Sequence, residues 1–211
     1  MAEAKLTLYV DHKFLSPYAL SAFVALEEKG LRYDLKPIDL HAGDSHKTTL
    51  RAVKSITGRV PTLVHDSFAL AESSAIDEYV DESFPGAALY PKSKQDRARA
   101  RQVQAWLRSD LMPLRQQRST EVVFVAPTKT PLTDEGKAAV KKLFDACEEL
   151  LQPGAKYMFG DWSIADTDLA LMLNRLVLNG DEVTKRLADY AREQWGRPSV
   201  KKWIDLQKAA K

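Results

Sequence analysis

One cysteine in 211 residues, Cys147, excludes an internal disulfide and any Cys-x-x-Cys redox pair. A lone thiol suits a reducing compartment. The opening residues Met1-Ala2-Glu3-Ala4-Lys5 run into a strand pattern with no apolar leader segment. No apolar run approaches the roughly 20 residues that cross a bilayer, so a cytoplasmic protein without a membrane partner is expected. The four histidines, His12, His41, His46 and His65, show no metal-ligand spacing, and no bound metal is expected. A Gly-x-Ser-x-Gly elbow, a phosphate loop and a dinucleotide fingerprint are also absent. The net charge of +2 is too small to suggest nucleic acid. Residues 1–82 hold 9 Lys+Arg against 13 Asp+Glu, and the remainder 22 against 16. Much of that later basic excess comes from Arg97, Arg99, Arg101 and Arg108, which a solvated helix face explains without a nucleic-acid groove.

The chain does contain two differently patterned parts. In the first, Lys5 to Val10 alternates with period two, placing Leu6, Leu8 and Val10 on one face of a strand. Asp11 to Leu15 reads as a loop, after which Ser16-Pro17 supplies a cap and a proline at the first helical position, and Leu20, Phe23, Val24 and Glu27 follow at helical spacing up to Gly30. Tyr33 to Asp39 reads as a second strand, with Pro37 marking an edge, so strand, helix and strand form a parallel pair. Residues 41–57 read as a loop with one irregular helix through Thr49 to Val53. Phe84-Pro85-Gly86 and Leu89-Tyr90-Pro91 mark a boundary, which gives a first domain over 1–84, a linker over 85–94 and a second domain over 95–211.

No strand pattern follows Gln95. Val103, Trp106, Leu107, Leu111 and Leu114 form one helical stripe, which Pro113 kinks or ends, and Val140, Leu143, Phe144, Cys147, Leu150 and Leu151 form another. Cys147 on that stripe reads as small buried filling. Ser163-Ile164-Ala165-Asp166 has the form of a capping box with aspartate in place of Glu or Gln. It opens a segment, Leu169 to Leu178, that is apolar nearly all round and therefore belongs inside a bundle. Helices around 183–195 and 198–208 close the chain, with Val200, Trp203, Ile204 and Leu206 as the final apolar stripe.

The stretch Val60-Pro61-Thr62-Leu63-Val64-His65, with Leu70-Ala71-Glu72-Ser73-Ser74-Ala75-Ile76 after it, carries the functional signal. Pro61 lacks a ladder donor, so the strand is an edge or begins at that proline, and an X-Pro bond is the one place where a cis peptide costs little. His65 to Phe68 reads as a tight turn into a second strand, after which Glu72 and Ser73 open a helix, with serine a favoured cap, whose free amides suit a carboxylate. An extended backbone edge and an anion site thus lie close together. These motifs resemble the glutathione-binding half of the glutathione transferases, and the Ser-x-x-Asp box resembles the one that opens their buried central helix.

The resemblance covers nearly the whole chain. It implies a thioredoxin-like α/β first domain followed by an all-α domain, a homodimer, and glutathione as co-substrate in transfer to an electrophile or reduction of a peroxide, a detoxification chemistry. Residue by residue, it implies that Val60 pairs its backbone with the cysteinyl unit and that Glu72 and Ser73 hold the γ-glutamyl amine and carboxylate. Arg59, His46 and Lys47 are the candidate cations for the glycyl carboxylate, and Lys13 is a further cation near the thiol. Ser16 is the candidate catalytic hydroxyl, with Tyr18 and Tyr9 as rivals; without the downstream motif, Ser16 before Pro17 reads as an ordinary helix cap. Phe14 to Tyr18 and Arg97 to Leu111 further resemble the bacterial YfcF-type group. Two alternatives share the same first domain: a non-catalytic binding module and a glutathione-dependent isomerase or dehalogenase.

The thermodynamic task is definite. A thiol with a pKa near 8.5 is roughly 3% ionised at pH 7, and lowering that pKa by about two units requires about 2.7 kcal/mol of preferential stabilisation. A helix N-terminus contributes about 0.3–1 kcal/mol and a hydroxyl hydrogen bond to the anion about 1.5–3.

Overall fold

The alternating residues at the start of the chain form β1 (Leu6–Asp11), from which Leu6, Leu8 and Val10 are buried. The computed structural model describes residues 5–41 and 45–210, with the side chains of Ser45 and His46 outside that description. After β1 come α1 (Pro17–Glu28), β2 (Asp34–Ile38), α2 (Ser45–Ala52), β3 (Thr62–His65), β4 (Phe68–Ala71) and α3 (Ser73–Ser83). The sheet order is β2-β1-β3-β4, with β1 and β2 parallel and the other two pairs antiparallel. Pro37 lies on the edge strand, where its missing N–H costs no ladder bond. Pro61 stands immediately before β3, an interior strand, so of the two expected placements it is the strand entrance.

Helix α1 is buried along Ala19–Leu26 and is tied to α3 by polar contacts across their interface. The Ser21 hydroxyl donates to the Asp77 carboxylate at 3.0 Å, and Lys29 Nζ meets Asp81 at 3.0 Å while donating to the carbonyls of Asp81 and Phe84 at 3.1 Å. Lys29 and Asp81 side chains are only 3% and 6% exposed, so each charge depends on the other for its solvation. Gly86 follows closely: its φ is +119°, and a Cβ there would lie 3.0 Å from the Lys29 carbonyl oxygen, which explains why the residue after Phe84-Pro85 has no side chain.

The helical part comprises α4 (Lys94–Ser109), α5 (Met112–Gln117), α6 (Thr120–Phe124), α7 (Asp134–Leu150), α8 (Ile164–Val177), α9 (Lys185–Trp195) and α10 (Pro198–Ala209). Pro113 sits in the first turn of α5, so the Val103–Leu114 stripe is divided between two helices. Helix α6 was not foreseen. Its five residues, Thr-Glu-Val-Val-Phe, are too few to show a period. Helix α8 is buried along nearly its whole length and packs with α9, α4 and α6, as expected of the apolar segment behind the Ser163–Asp166 box.

Packing divides the chain after Leu89 and again before Pro198, so α10 groups with the strands and α1–α3, and residues 90–197 form the other unit. In chain order α10 belongs to the expected second domain; its side chains pack with the first. Trp203 is fully buried, packs edge-on to Phe14 at 5.1 Å and tilted to Phe23 at 5.3 Å, and donates its indole N–H to the Phe14 carbonyl at 3.0 Å. In the other unit, Cys147 is buried among Leu143, Leu173 and Tyr190, and burial pushes its thiol up to about 12. Native protein is therefore expected to leave a chromogenic disulfide reagent unreacted over hours, and the same sample in denaturant to release one equivalent. Prompt reaction of the native thiol would contradict that burial.

Candidate functional site

Strand register brings the segments carrying Ser16, Val60, Glu72 and Ser73 to one end of the sheet. Tyr9 is opposite Thr62 on β3, and Thr62 is opposite Ala71 on β4. Continued along the chain, that register sets the Asp11–Ser16 loop after β1, Val60-Pro61 before β3 and Glu72-Ser73 after β4 side by side. Neighbouring strands lie about 4.8 Å apart, so the three segments span roughly 10 Å.

The middle segment is held from below. The Thr62 hydroxyl donates to the Arg59 carbonyl at 2.7 Å and shares a 2.9 Å hydrogen bond with Ser55, both side chains being buried. The Val60–Pro61 peptide is cis. Arg59 is exposed beside it, and Lys47 is exposed in α2, where the register says nothing of its distance from this end. The side chain of His46 lies outside the described residues.

At the third segment, Glu72 rather than Ser73 is the residue before the helix. Its backbone sits at φ 72°, ψ 114°, its side chain makes no capping bond, and its carbonyl accepts the Ile76 N–H at 2.9 Å. A positive φ on a glutamate is uncommon and costs about 1–3 kcal/mol, and residues so held collect at ligand clamps and active sites. Ser73 is the first residue of α3 and nearly fully buried.

The first segment is the most heavily bonded. Ser16 caps α1 with its hydroxyl oxygen, accepting the Ala19 N–H at 3.2 Å, while its carbonyl accepts the Leu20 N–H. Asp11, read from sequence only as the start of a loop, accepts the Leu15 N–H on one carboxylate oxygen at 2.7 Å and the Ser16 N–H on the other at 3.0 Å. Its carbonyl accepts the Phe14 N–H at 3.0 Å, with Phe14 at φ 53°. The available signal was an aspartate at the end of an apolar strand, four and five residues ahead of amides that need acceptors. Tyr18 is half-buried in the first turn of α1, Tyr9 is half-buried on β1, and Lys13 is exposed. Among the described residues no group of His, Cys, Asp and Glu could hold a metal ion, and no helix is long and apolar enough to cross a membrane.

This sheet end carries a capped hydroxyl, an X-Pro strand entrance and a strained residue at a helix start. Residues 15–83 match the family model for the glutathione S-transferase N-terminal domain, and residues 93–210 match that for the C-terminal domain. The chain belongs to the glutathione S-transferase family. A glutathione transferase homolog from Burkholderia gl BGR1, solved with bound glutathione, is 43% identical, covers 97% of this chain and 98% of its own, and superposes with a TM-score of 0.77. Glutathione S-transferase 1 of Dianthus caryophyllus is 34% identical over 158 residues, 74% of this chain and 71% of its own length. Maleylacetoacetate isomerase of Dictyostelium discoideum is 29% identical over 174 residues, 81% of this chain and 78% of its own. The thioredoxin-like α/β domain followed by helices is the fold of this family, as the motifs implied.

Proposed function

We propose that this protein is a glutathione transferase that binds glutathione at the Val60, Glu72 and Ser73 end of the sheet and activates its thiol through the Ser16 hydroxyl. The observation that carries the reading is the bonding around Ser16. The amides of Phe14, Leu15, Ser16, Ala19 and Leu20 are all given to acceptors within the protein, and Pro17 has none. With its oxygen fixed by Ala19, the hydroxyl hydrogen is the donor we assign to an incoming sulfur. One such bond to an anion is worth about 1.5–3 kcal/mol, the range required. Ser16 donates and does not attack: the adjacent carboxylate of Asp11 is occupied by two amides and is not bonded to the hydroxyl.

In this reading the Val60 backbone pairs with the cysteinyl unit, and Glu72 and Ser73 hold the γ-glutamyl end, which gives the strained backbone at Glu72 a purpose. Arg59 takes the glycyl carboxylate, with Lys47 and His46 as its alternatives. The bound glutathione of the Burkholderia homolog supports the ligand. The second substrate is an electrophile or a peroxide, and isomerisation of maleylacetoacetate is the second reading, supported by the relatives of that name. The protein acts as a cytoplasmic homodimer of the YfcF-type group; the exposed Ile56 (96%) and Phe68 (48%) are apolar surface that a second copy would cover.

Retention on immobilised glutathione, followed by a turnover panel of electrophiles, peroxides and maleylacetoacetate, tests both readings, and sedimentation equilibrium tests the dimer. Glu72→Gln and Ser73→Ala are expected to raise KM for glutathione by about 10-fold or more, since each removes a hydrogen bond to a charged group worth about 1.5–3 kcal/mol, with kcat changed less. Failure to bind glutathione at millimolar concentration would remove the enzyme reading.

A further inference from the structure

We propose that Asp11 is a positioning residue for thiol activation, an inference that rests on the reading of Ser16 above. The residue is only 7% exposed and both carboxylate oxygens are engaged, one on the Leu15 amide at 2.7 Å and the other on the Ser16 amide at 3.0 Å. With the Phe14 amide on its own carbonyl, Asp11 fixes three consecutive peptide groups and so determines where the Ser16 Cα–Cβ bond points. The Ala19 amide then sets the remaining rotation of the hydroxyl. Trp203, bonded to the Phe14 carbonyl, fastens the same loop at a separate point.

Charge and geometry act here with opposite signs. A carboxylate beside the loop opposes formation of a thiolate at Ser16, so if Asp11 mattered only through its charge, neutralising it would favour the thiolate. If it acts by holding the two amides, neutralising it disfavours the thiolate: asparagine offers one acceptor oxygen where two amides require one each, and its NH2 group would confront the other amide. Aspartate to glutamate separates the effects, because it keeps the charge and displaces the carboxylate by one methylene.

The test compares full-length wild type, Asp11→Asn, Asp11→Glu and Ser16→Ala by the ultraviolet absorbance of bound glutathione thiolate at neutral pH and by kcat and KM. Both Asp11 variants are expected to lose about 10-fold in thiolate absorbance and kcat, with KM for glutathione within about twofold, because misplacing a group by about an ångström costs on the order of 10–100-fold without removing the binding contacts. Unchanged or increased thiolate in Asp11→Asn, or wild-type behaviour in Asp11→Glu, overturns the inference. If Ser16→Ala loses the thiolate while both Asp11 variants keep it, this inference alone fails; if Ser16→Ala keeps it, the reading of Ser16 fails and takes this inference with it. Should the Asp11 variants not fold, amide exchange in the wild type still decides: Leu15 and Ser16 are expected to exchange at least about 100-fold more slowly than exposed amides, and exchange at the exposed rate refutes the two bonds on which the positioning depends.

Discussion

Ser16→Ala is expected to lower kcat by about 10- to 150-fold while the protein stays on immobilised glutathione. The estimate follows from losing one hydroxyl hydrogen bond to an anion, about 1.5–3 kcal/mol, at about 1.4 kcal/mol per decade of rate. Retention should persist because the groups assigned to the tripeptide's charged ends, at Glu72, Ser73 and Arg59, are untouched. The same substitution removes the cap of α1, where the Ser16 oxygen accepts the Ala19 N–H, and that alone costs about 1 kcal/mol of stability. Two companions separate the effects. Ser16→Gly also lacks the hydroxyl but costs only a few tenths of a kcal/mol as a cap, so it should lose turnover and keep its melting temperature. Ser16→Thr keeps both hydroxyl and cap and should recover most of the rate. If Ser16→Ala turns over like the wild type, the sulfur contact passes to Tyr18, Tyr9 or the backbone.

The strands, the αβ crossover and the hairpin were legible because their apolar residues alternate or recur at helical spacing and because Ser16-Pro17 and Val60-Pro61 restrict the backbone at their own positions. What was not legible depended on partners distant in sequence. The final stripe of Val200, Trp203, Ile204 and Leu206 showed a helix with one buried face, but periodicity cannot say that Trp203 fills the space against Phe14 and Phe23, almost two hundred residues earlier. The role of Asp11 was missed for a related reason. A carboxylate at a strand end is usually solvated, and only the turn at Phe14 brings the Leu15 and Ser16 amides back onto it. Ser73 was read as a cap because serine favours that position, whereas the strained Glu72 occupies it. Local propensity gave way there, as it commonly does at sites shaped for a ligand.

The largest loss of stability is expected at Asp166, which the sequence marked as half of a helix-opening box and the structure shows in a wider set of bonds. Its carboxylate accepts the Ser163 N–H at 2.9 Å, a bond of the capping box that starts α8, and the Ser163 hydroxyl at 3.0 Å. It also accepts the Met158 N–H at 2.9 Å and the Tyr190 hydroxyl at 2.8 Å, fixing the loop before α8 and the helix that packs against it. Burial, and then the neighbouring carboxylate, hold the Tyr190 phenol well above its ordinary pKa, so it remains a donor at any working pH. Asp166 and Ser163 are fully buried, and water cannot replace a lost acceptor without opening the bundle. Asp166→Ala therefore strands four donors at about 1–3 kcal/mol each, and partial relaxation leaves a net loss of at least about 3 kcal/mol. For a chain of this size that corresponds to a fall in melting temperature of roughly 6–12 °C by calorimetry. Asp166→Asn keeps one acceptor oxygen and should fall between the two, whereas Ser163→Ala removes a single hydroxyl and should cost about 1 kcal/mol. A cost of 1 kcal/mol or less for Asp166→Ala would reduce this residue to an ordinary cap and leave the junction of α8, α9 and the Met158 loop to apolar packing alone.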